Sequence, residues 1–172
     1  MEKLVKNLFN PSILDHAIQA YQLNPAQTKL LDGFVSFIFN VQKDGQAFIL
    51  RIGHDLRRTP NLVQGESEFL NHLAQGGLSV PQVLPSANGQ LVERIPAKDG
   101  SHFLITLFTK APGHPPTAEE WEPRLFRTMG VFMGKLHRLS QAFNPSTPQF
   151  KRYDIEQDFN EMYQTGRRHL PA

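Results

Sequence analysis

Gly33, Arg51 and Glu66 are the residues whose types and order best suit chemistry on phosphate oxygens. Gly33 breaks the chain between a short run, Lys29–Leu31, and an alternating one, residues 35–41, so it can turn a hairpin. Arg51 stands near the middle of the next apolar run, FILRIG, and Glu66 near the start of the helical pattern that follows. A hairpin can lie over nucleotide phosphates, a strand-borne cation can reach them, and a carboxylate on the following helix can orient that cation. A guanidinium suits the task because its fork meets phosphate oxygens two at a time. Arg51 also has the plain reading of an exposed strand residue. Glu68 competes with Glu66, since either carboxylate suits the first turn of a helix. The run HFLITLFT leads into Ala111-Pro112-Gly113, a connector whose backbone N–H and C=O groups can meet an adenine edge. Leu31, Ile49 and Leu107 are the apolar walls expected around such a base.

The elements that must hold these residues follow from pattern. Residues 11–22 put Ile13, Leu14, Ala17, Ile18 and Tyr21 on one helical face, with Ser12 placed to cap it, and Asn24-Pro25 ends the run. Phe37, Phe39 and Val41 alternate with Ser36, Ile38 and Asn40, and Asp44-Gly45 signals a tight hairpin into a strand over residues 47–52. Residues 53–61 read as a polar turn region. From Val63 the period becomes helical, with Phe69, Leu70, Leu73 and Ala74 on one face, and Gly76-Gly77 closes the helix. Residues 80–85 hold two prolines and read as an edge strand, Asn88-Gly89 as a hairpin turn, and residues 91–95 and 102–109 as strands. The expectation is an α+β domain with a five-stranded antiparallel sheet and one inserted helix. Beyond it, Thr117 precedes a helix whose stripe is Leu125, Met129, Val131, Phe132, Leu136 and Leu139, with Gly130 and Gly134 spaced for close packing. Residues 154–167 are strongly polar, with Ile155, Phe159 and Met162 spaced to dock one face.

The order of LLDGFVSFIFNV, KDGQAFILRI, GESEFLNHLAQGGLSVPQVLP, HFLITLFTKAPG and MGVFMGKLHRLSQAF resembles the aminoglycoside phosphotransferase and choline kinase superfamily. The likeness covers roughly residues 25–150 and leans toward its homoserine-kinase-like bacterial members. HLAQGGLSVP looks like the family's helix end and following Val-Pro strand, and KLHRLSQAF like its Leu-His-x-Leu helix end. The resemblance implies a protein-kinase-like small lobe over residues 1–110, then a hinge and the beginning of a helical lobe over residues 111–172. It implies ATP as the nucleotide, Arg51 at the phosphate-contacting position, Glu66 as its helix partner, and Phe108 and Thr109 near the hinge.

Members continue with His-Gly-Asp, an Asn five residues after that Asp, and a later metal-binding Asp. None of these follows Phe143. No catalytic and no metal residue is therefore assigned, magnesium is expected only with the complete enzyme, and the chain alone is expected to be inactive. The hairpin also departs from the family, since Asp32-Gly33-Phe34-Val35-Ser36 has one glycine and two bulky residues. His54-Asp55-Leu56-Arg57-Arg58-Thr59-Pro60-Asn61 mimics a catalytic loop, but its His and Asp are adjacent and its Asp–Asn spacing is one too long. His137 and Arg138 suit a helix C-terminus, Asp154 and Asp158 a solvated face, and the remaining histidines lack ligand spacing. If the helical part lacks its companions, its apolar stripe is exposed and the chain is expected to self-associate or to meet the rest of a helical lobe.

Composition closes off other classes. With 18 basic and 16 acidic residues, bulk electrostatics makes no case for nucleic acid. No cysteine means no disulfide, thiolate nucleophile or cysteine zinc site. Charges interrupt the N-terminus, and no window approaches 18 apolar residues, so neither a secretory signal nor a membrane partner is expected, and a cytoplasmic location is the default.

Overall fold

A computed structural model describes residues 3–31, 33–150 and 159. The elements are helices α1 (Lys3–Leu8) and α2 (Pro11–Tyr21), strands β1 (Lys29–Leu31), β2 (Phe37–Lys43) and β3 (Gln46–His54), helix α3 (Pro60–Gln75), strands β4 (Val83–Leu84), β5 (Glu93–Pro96) and β6 (His102–Thr109), and helix α4 (Pro123–Gln141). Short 3-10 turns occupy Pro25–Gln27 and Ala118–Glu120. The sheet runs β1-β2-β3-β6-β4, with β5 also on β6, and every pairing is antiparallel. This is the expected α+β arrangement of a kinase-like small lobe with helical segments after it.

Strand register divides the chemistry. Paired residues in a sheet share a face, so Phe39, Leu50 and Leu107 fall on one side, and Ile38, Arg51 and Thr106 on the other. On the first face Phe39, Val41, Phe48, Leu50, Ile52, Phe103, Ile105 and Leu107 pack with Val5 of α1 and with Ile13, Ala17 and Tyr21 of α2 in one core. Tyr21 is buried, and its hydroxyl donates to the Ile105 carbonyl at 3.1 Å, tying α2 to β6. Burial pushes the Tyr21 hydroxyl's pKa up, and the nearby Glu93 charge adds to this.

Several local expectations need correction. Asn10, not Ser12, caps α2: its side chain accepts from the Ser12 N–H, and Pro11 occupies the first helical position. Helix α3 starts at Pro60, three residues before the apolar period becomes visible, because Thr59 caps it at the Leu62 N–H. Glu66 is thus on the second turn of α3 rather than the first. Strands β4 and β5 do not pair with each other across Asn88-Gly89. Both lie along the edge of β6 opposite β3, Val83 beside Phe108 and Ile95 beside Phe103, so six strand segments make a sheet five wide. The Asn71 side chain holds β4, donating to the Val83 carbonyl at 2.9 Å and accepting from its N–H at 2.8 Å.

Helix α4 joins the lobe at its C-terminal end. Leu139 lies against Gly76, where an added Cβ would stand 2.5 Å from a Leu139 methyl. His72 Nε2 meets the Leu139 carbonyl at 3.0 Å, and Phe143 packs edge-on against Phe69. The anticipated stripe splits: Leu125, Phe132, Leu136 and Leu139 are half-buried, while Met129 and Val131 are exposed together with Trp121, Phe126 and Met133. Helical spacing explains the split, since residues 126, 129 and 133 form a second face. Gly130 and Gly134 face open space rather than a close-packed helix. The Thr117–Glu120 capping box forms, but on the 3-10 turn ahead of α4. Phe159 is exposed; Asp32, Asp154, Ile155, Asp158, Met162 and His169 lie outside the described residues.

Candidate functional site

The second face of the sheet carries two cross-strand rows. Leu31, Ile38, Arg51 and Thr106 stand side by side on β1, β2, β3 and β6, and Asn40, Ile49, Phe108 and Val83 form the next row. Two-residue alternation selects these positions. Four of the anticipated residues, Leu31, Ile49, Arg51 and Phe108, therefore share one surface.

Helix α3 crosses this face and presents Glu66 to Arg51. Arg51 donates Nη2 to Oε2 at 2.7 Å and Nη1 to Oε1 at 3.3 Å, a two-pronged pair. Its Nε donates to the buried Thr106 hydroxyl at 3.2 Å, and the Phe108 ring centroid lies 4.8 Å from the guanidinium carbon. Carboxylate, hydroxyl and ring together fix the fork. Arg58 joins the same carboxylate, donating Nη1 to Oε1 at 3.1 Å. Burial pushes the Glu66 carboxyl up, but the hydrogen bonds and charges of Arg51 and Arg58 outweigh it and hold the pKa below the ordinary carboxylate value.

A cleft of about 170 Å³ opens beside this pair, lined by Ser36, Gly53, Arg57, Arg58, Val63 and Leu104 as well as Arg51 and Glu66. Its roof is the loop between β1 and β2. Gly33 makes that loop possible, for an added Cβ would sit 2.2 Å from the Ser36 carbonyl oxygen. Phe34 at the loop tip is exposed. Chemically, a held guanidinium fork beside a small cleft under a backbone loop suits an oxyanion.

One anticipated residue falls elsewhere. Leu107 lies on the opposite face, buried in the α1–α2 core, and walls nothing beside Arg51. Strand β6 is apolar on both faces, so apolarity alone assigns no side; Thr106, the polar residue in its middle, is the parity marker that separates Leu107 from Phe108. Thr109 ends β6 directly before the connector and is tied to the sheet edge there: its Oγ1 accepts from the Gln82 N–H at 2.9 Å, and its N–H donates to the Gln82 carbonyl at 2.9 Å. Glu68, the rival carboxylate, accepts instead from the Ser146 N–H and hydroxyl and from Gln64.

The catalytic-loop mimic is structural. His54 is buried, its Nδ1 accepting from the Leu56 N–H and its Nε2 meeting Ser101 Oγ at 3.0 Å. The Asp55 carboxylate accepts from the His102 N–H at 2.9 Å and so joins the end of β3 to the start of β6. Arg57 and Arg58, read as part of a polar turn, prove to line the cleft. Their only visible signal was two adjacent guanidiniums ahead of a helix. Among the described residues no group of three or more His, Asp or Glu side chains can hold a metal ion, and no helix is long and apolar enough to cross a membrane.

Known proteins match this arrangement. The model of the phosphotransferase enzyme family matches residues 28–170. Amicoumacin kinase of Bacillus subtilis is 35% identical over 159 residues, covering 92% of this chain and 47% of the relative. A solved structure of amicoumacin kinase hAmiN in complex with AMP-PNP, Ca2+ and Ami superposes with a TM-score of 0.89 at 29% identity, covering 100% of this chain and 51% of that one. A microcompartment-associated aminopropanol kinase, at 22% identity and a TM-score of 0.67, shares the fold over 85% of this chain and 45% of its own. The chain thus spans about half the length of these relatives.

Proposed function

The chain belongs to the phosphotransferase enzyme family, and on that premise we propose that it is the nucleotide-binding part of an ATP-dependent phosphotransferase acting on a small hydroxylated molecule. The observation that carries this reading is the Arg51–Glu66 pair on the sheet face beneath the Gly33 loop. The complex of the hAmiN relative with AMP-PNP supports ATP as the nucleotide.

The proposed roles follow from place. Arg51 presents its guanidinium to phosphate oxygens while Glu66, Thr106 and Phe108 keep it from turning away. The loop after Gly33 excludes water above the phosphates. Leu31, Ile49 and Phe108 offer an apolar bed to the base, and the backbone of the Ala111-Pro112-Gly113 connector offers its edge partners. Residues 1–110 act as the nucleotide lobe, and residues 111–172 as hinge and first helical segments. ATP supplies the phosphoryl group, and magnesium would neutralise its charge. The described residues do not make a magnesium site, so no step is assigned to the metal here and none to an acceptor base. The chain by itself is proposed to bind magnesium–ATP weakly without transferring phosphate, in a cytoplasmic setting.

Hydrogen exchange with and without magnesium–ATP tests the reading. Protection should rise at residues 33–36, 48–51 and 106–113 and stay unchanged in α1 and α2. Protection confined to α4, or none at saturating nucleotide, overturns it.

A second reading rests on α4 and the turn ahead of it, where Phe126, Met129, Val131 and Met133 of the helix and Trp121 of the turn are exposed. Such a face suits protein contact, either with the rest of a helical lobe or with a second copy. Light scattering across concentration separates these outcomes: a mass that rises with concentration supports self-association, and a constant monomer mass removes it.

A further inference from the structure

Glu66 carries two guanidiniums, and only one of them lies on the sheet. Arg51 spans both carboxylate oxygens, whereas Arg58, from the segment between β3 and α3, meets one oxygen of that carboxylate, Oε1, at 3.1 Å. The Arg58 side chain is 48% exposed against 21% for Arg51, so it is the more accessible of the two to a ligand entering from solvent. If Arg58 leaves, Oε1 keeps its bond from Arg51 Nη1, and no carboxylate oxygen is left without a donor. The exchange therefore avoids the cost of an orphaned charge.

Strand β3 supplies a ruler. Phe48 pairs with Thr109 at the connector end, and Gly53 pairs with Leu104 toward the far end. At roughly 3.3 Å per residue, Arg51 stands about 10 Å and Gly53 about 17 Å along β3 from Phe48. A nucleotide with its base at the connector sends each further phosphate deeper along this line. Its first phosphates reach Arg51, and the last one reaches the part of the cleft walled by Ser36, Gly53 and Arg58.

We propose that Arg58 is the residue that takes the terminal phosphate, exchanging Glu66 for a phosphate oxygen, so that the cleft distinguishes a triphosphate from a diphosphate. The proposal rests on the nucleotide reading of the Arg51 face. It gives the cleft a division of labour: Arg51 holds any nucleotide with at least two phosphates, and Arg58 adds affinity only for a third. Arg58 keeps partners in both states, so the ligand-free cleft needs no unpaired cation.

Calorimetry of the whole chain with ATP, ADP and AMP tests this. Magnesium-free buffer is used so that only the protein's own cations meet the phosphates. The wild type should bind ATP about tenfold more tightly than ADP, the scale of one added charge-assisted hydrogen bond at a half-exposed site. Arg58→Gln should weaken ATP about tenfold, leave ADP within about twofold, and so erase the preference, while Arg58→Lys keeps part of it. Thermal midpoints of both variants should stay near wild type, because the side chain is half exposed. Loss of ATP and ADP together, or a preference that survives Arg58→Gln, overturns the Arg58 assignment while nucleotide binding stands. A wild type silent to all three nucleotides overturns the nucleotide reading itself.

Discussion

The two faces of β3 do opposite work with interleaved residues. Phe48, Leu50 and Ile52 enter the core against α1 and α2, where the main polar contact is a tyrosine hydroxyl on a backbone carbonyl. Ile49, Arg51 and Gly53 look the other way, onto a charged pair, a small cleft and a loop. One strand thus separates stability from chemistry at a spacing of one residue. A charge on the core face would lack partners and water alike. On the other face Arg51 keeps a carboxylate, a hydroxyl and a ring. Substitutions on the first face should therefore change folding and leave affinity alone, and those on the second should do the reverse.

The widest separation is expected at Leu50→Ala. Leu50 is fully buried, and its loss should cost about 3 kcal/mol of stability through lost burial and a residual cavity. Denaturant unfolding measures that cost, while nucleotide affinity of the folded fraction should match wild type. A change in affinity would break the division between faces.

Gly33→Ala probes the cleft side. The new Cβ meets the Ser36 carbonyl oxygen, so the loop that lines the cleft must shift. Nucleotide affinity should fall about tenfold, on the scale of one misplaced charge-assisted contact. Among the described residues the core includes none of 33–36, and the thermal midpoint should move far less than in Leu50→Ala.

Tyr21→Phe sharpens the core side. It removes the hydroxyl that donates to the Ile105 carbonyl and should cost about 1 kcal/mol by chemical denaturation, with no effect on ligand.

The smallest effect is a pH dependence. The Glu66 carboxyl is held below its ordinary value of 4.5, so the folded state binds its proton less readily than the unfolded one. The stabilisation is present above pH 4.5 and is lost as pH falls through that value toward the lower folded pKa. Thermal midpoints of wild type and Glu66→Gln should differ most at neutral pH and converge on acidification. A gap that is constant with pH would show that the ionised carboxylate contributes nothing through Arg51 and Arg58.

Much of this division could be read in the sequence where period and turn chemistry coincide. Asp44-Gly45, with both residues at positive φ, forces the β2–β3 hairpin and so sets the register that puts Arg51 beside Ile38. The Gly33 break and the helical period after Val63 placed a carboxylate on the arginine's side. Legibility failed where both faces are apolar, as in β6, and Leu107 was placed on the wrong side for that reason. It failed again where a contact joins segments with no shared period. Arg58 reaches Glu66 because Thr59-Pro60 starts α3 directly after it, and the start of the apolar stripe three residues later concealed that cap. The exposed face of α4 was foreseen as a stripe, but its exact membership depended on which side docks Gly76 and Phe69.

The central claim is that Arg51, held by Glu66, is the anchor of a nucleotide's phosphates. The direct measurement is a calorimetric titration of wild type and Arg51→Ala with magnesium–ATP, with the thermal midpoint of each recorded alongside. Saturable binding by wild type and a loss of about tenfold or more in Arg51→Ala, with the fold retained, is the predicted result. Identical binding heats in the two proteins would contradict the account.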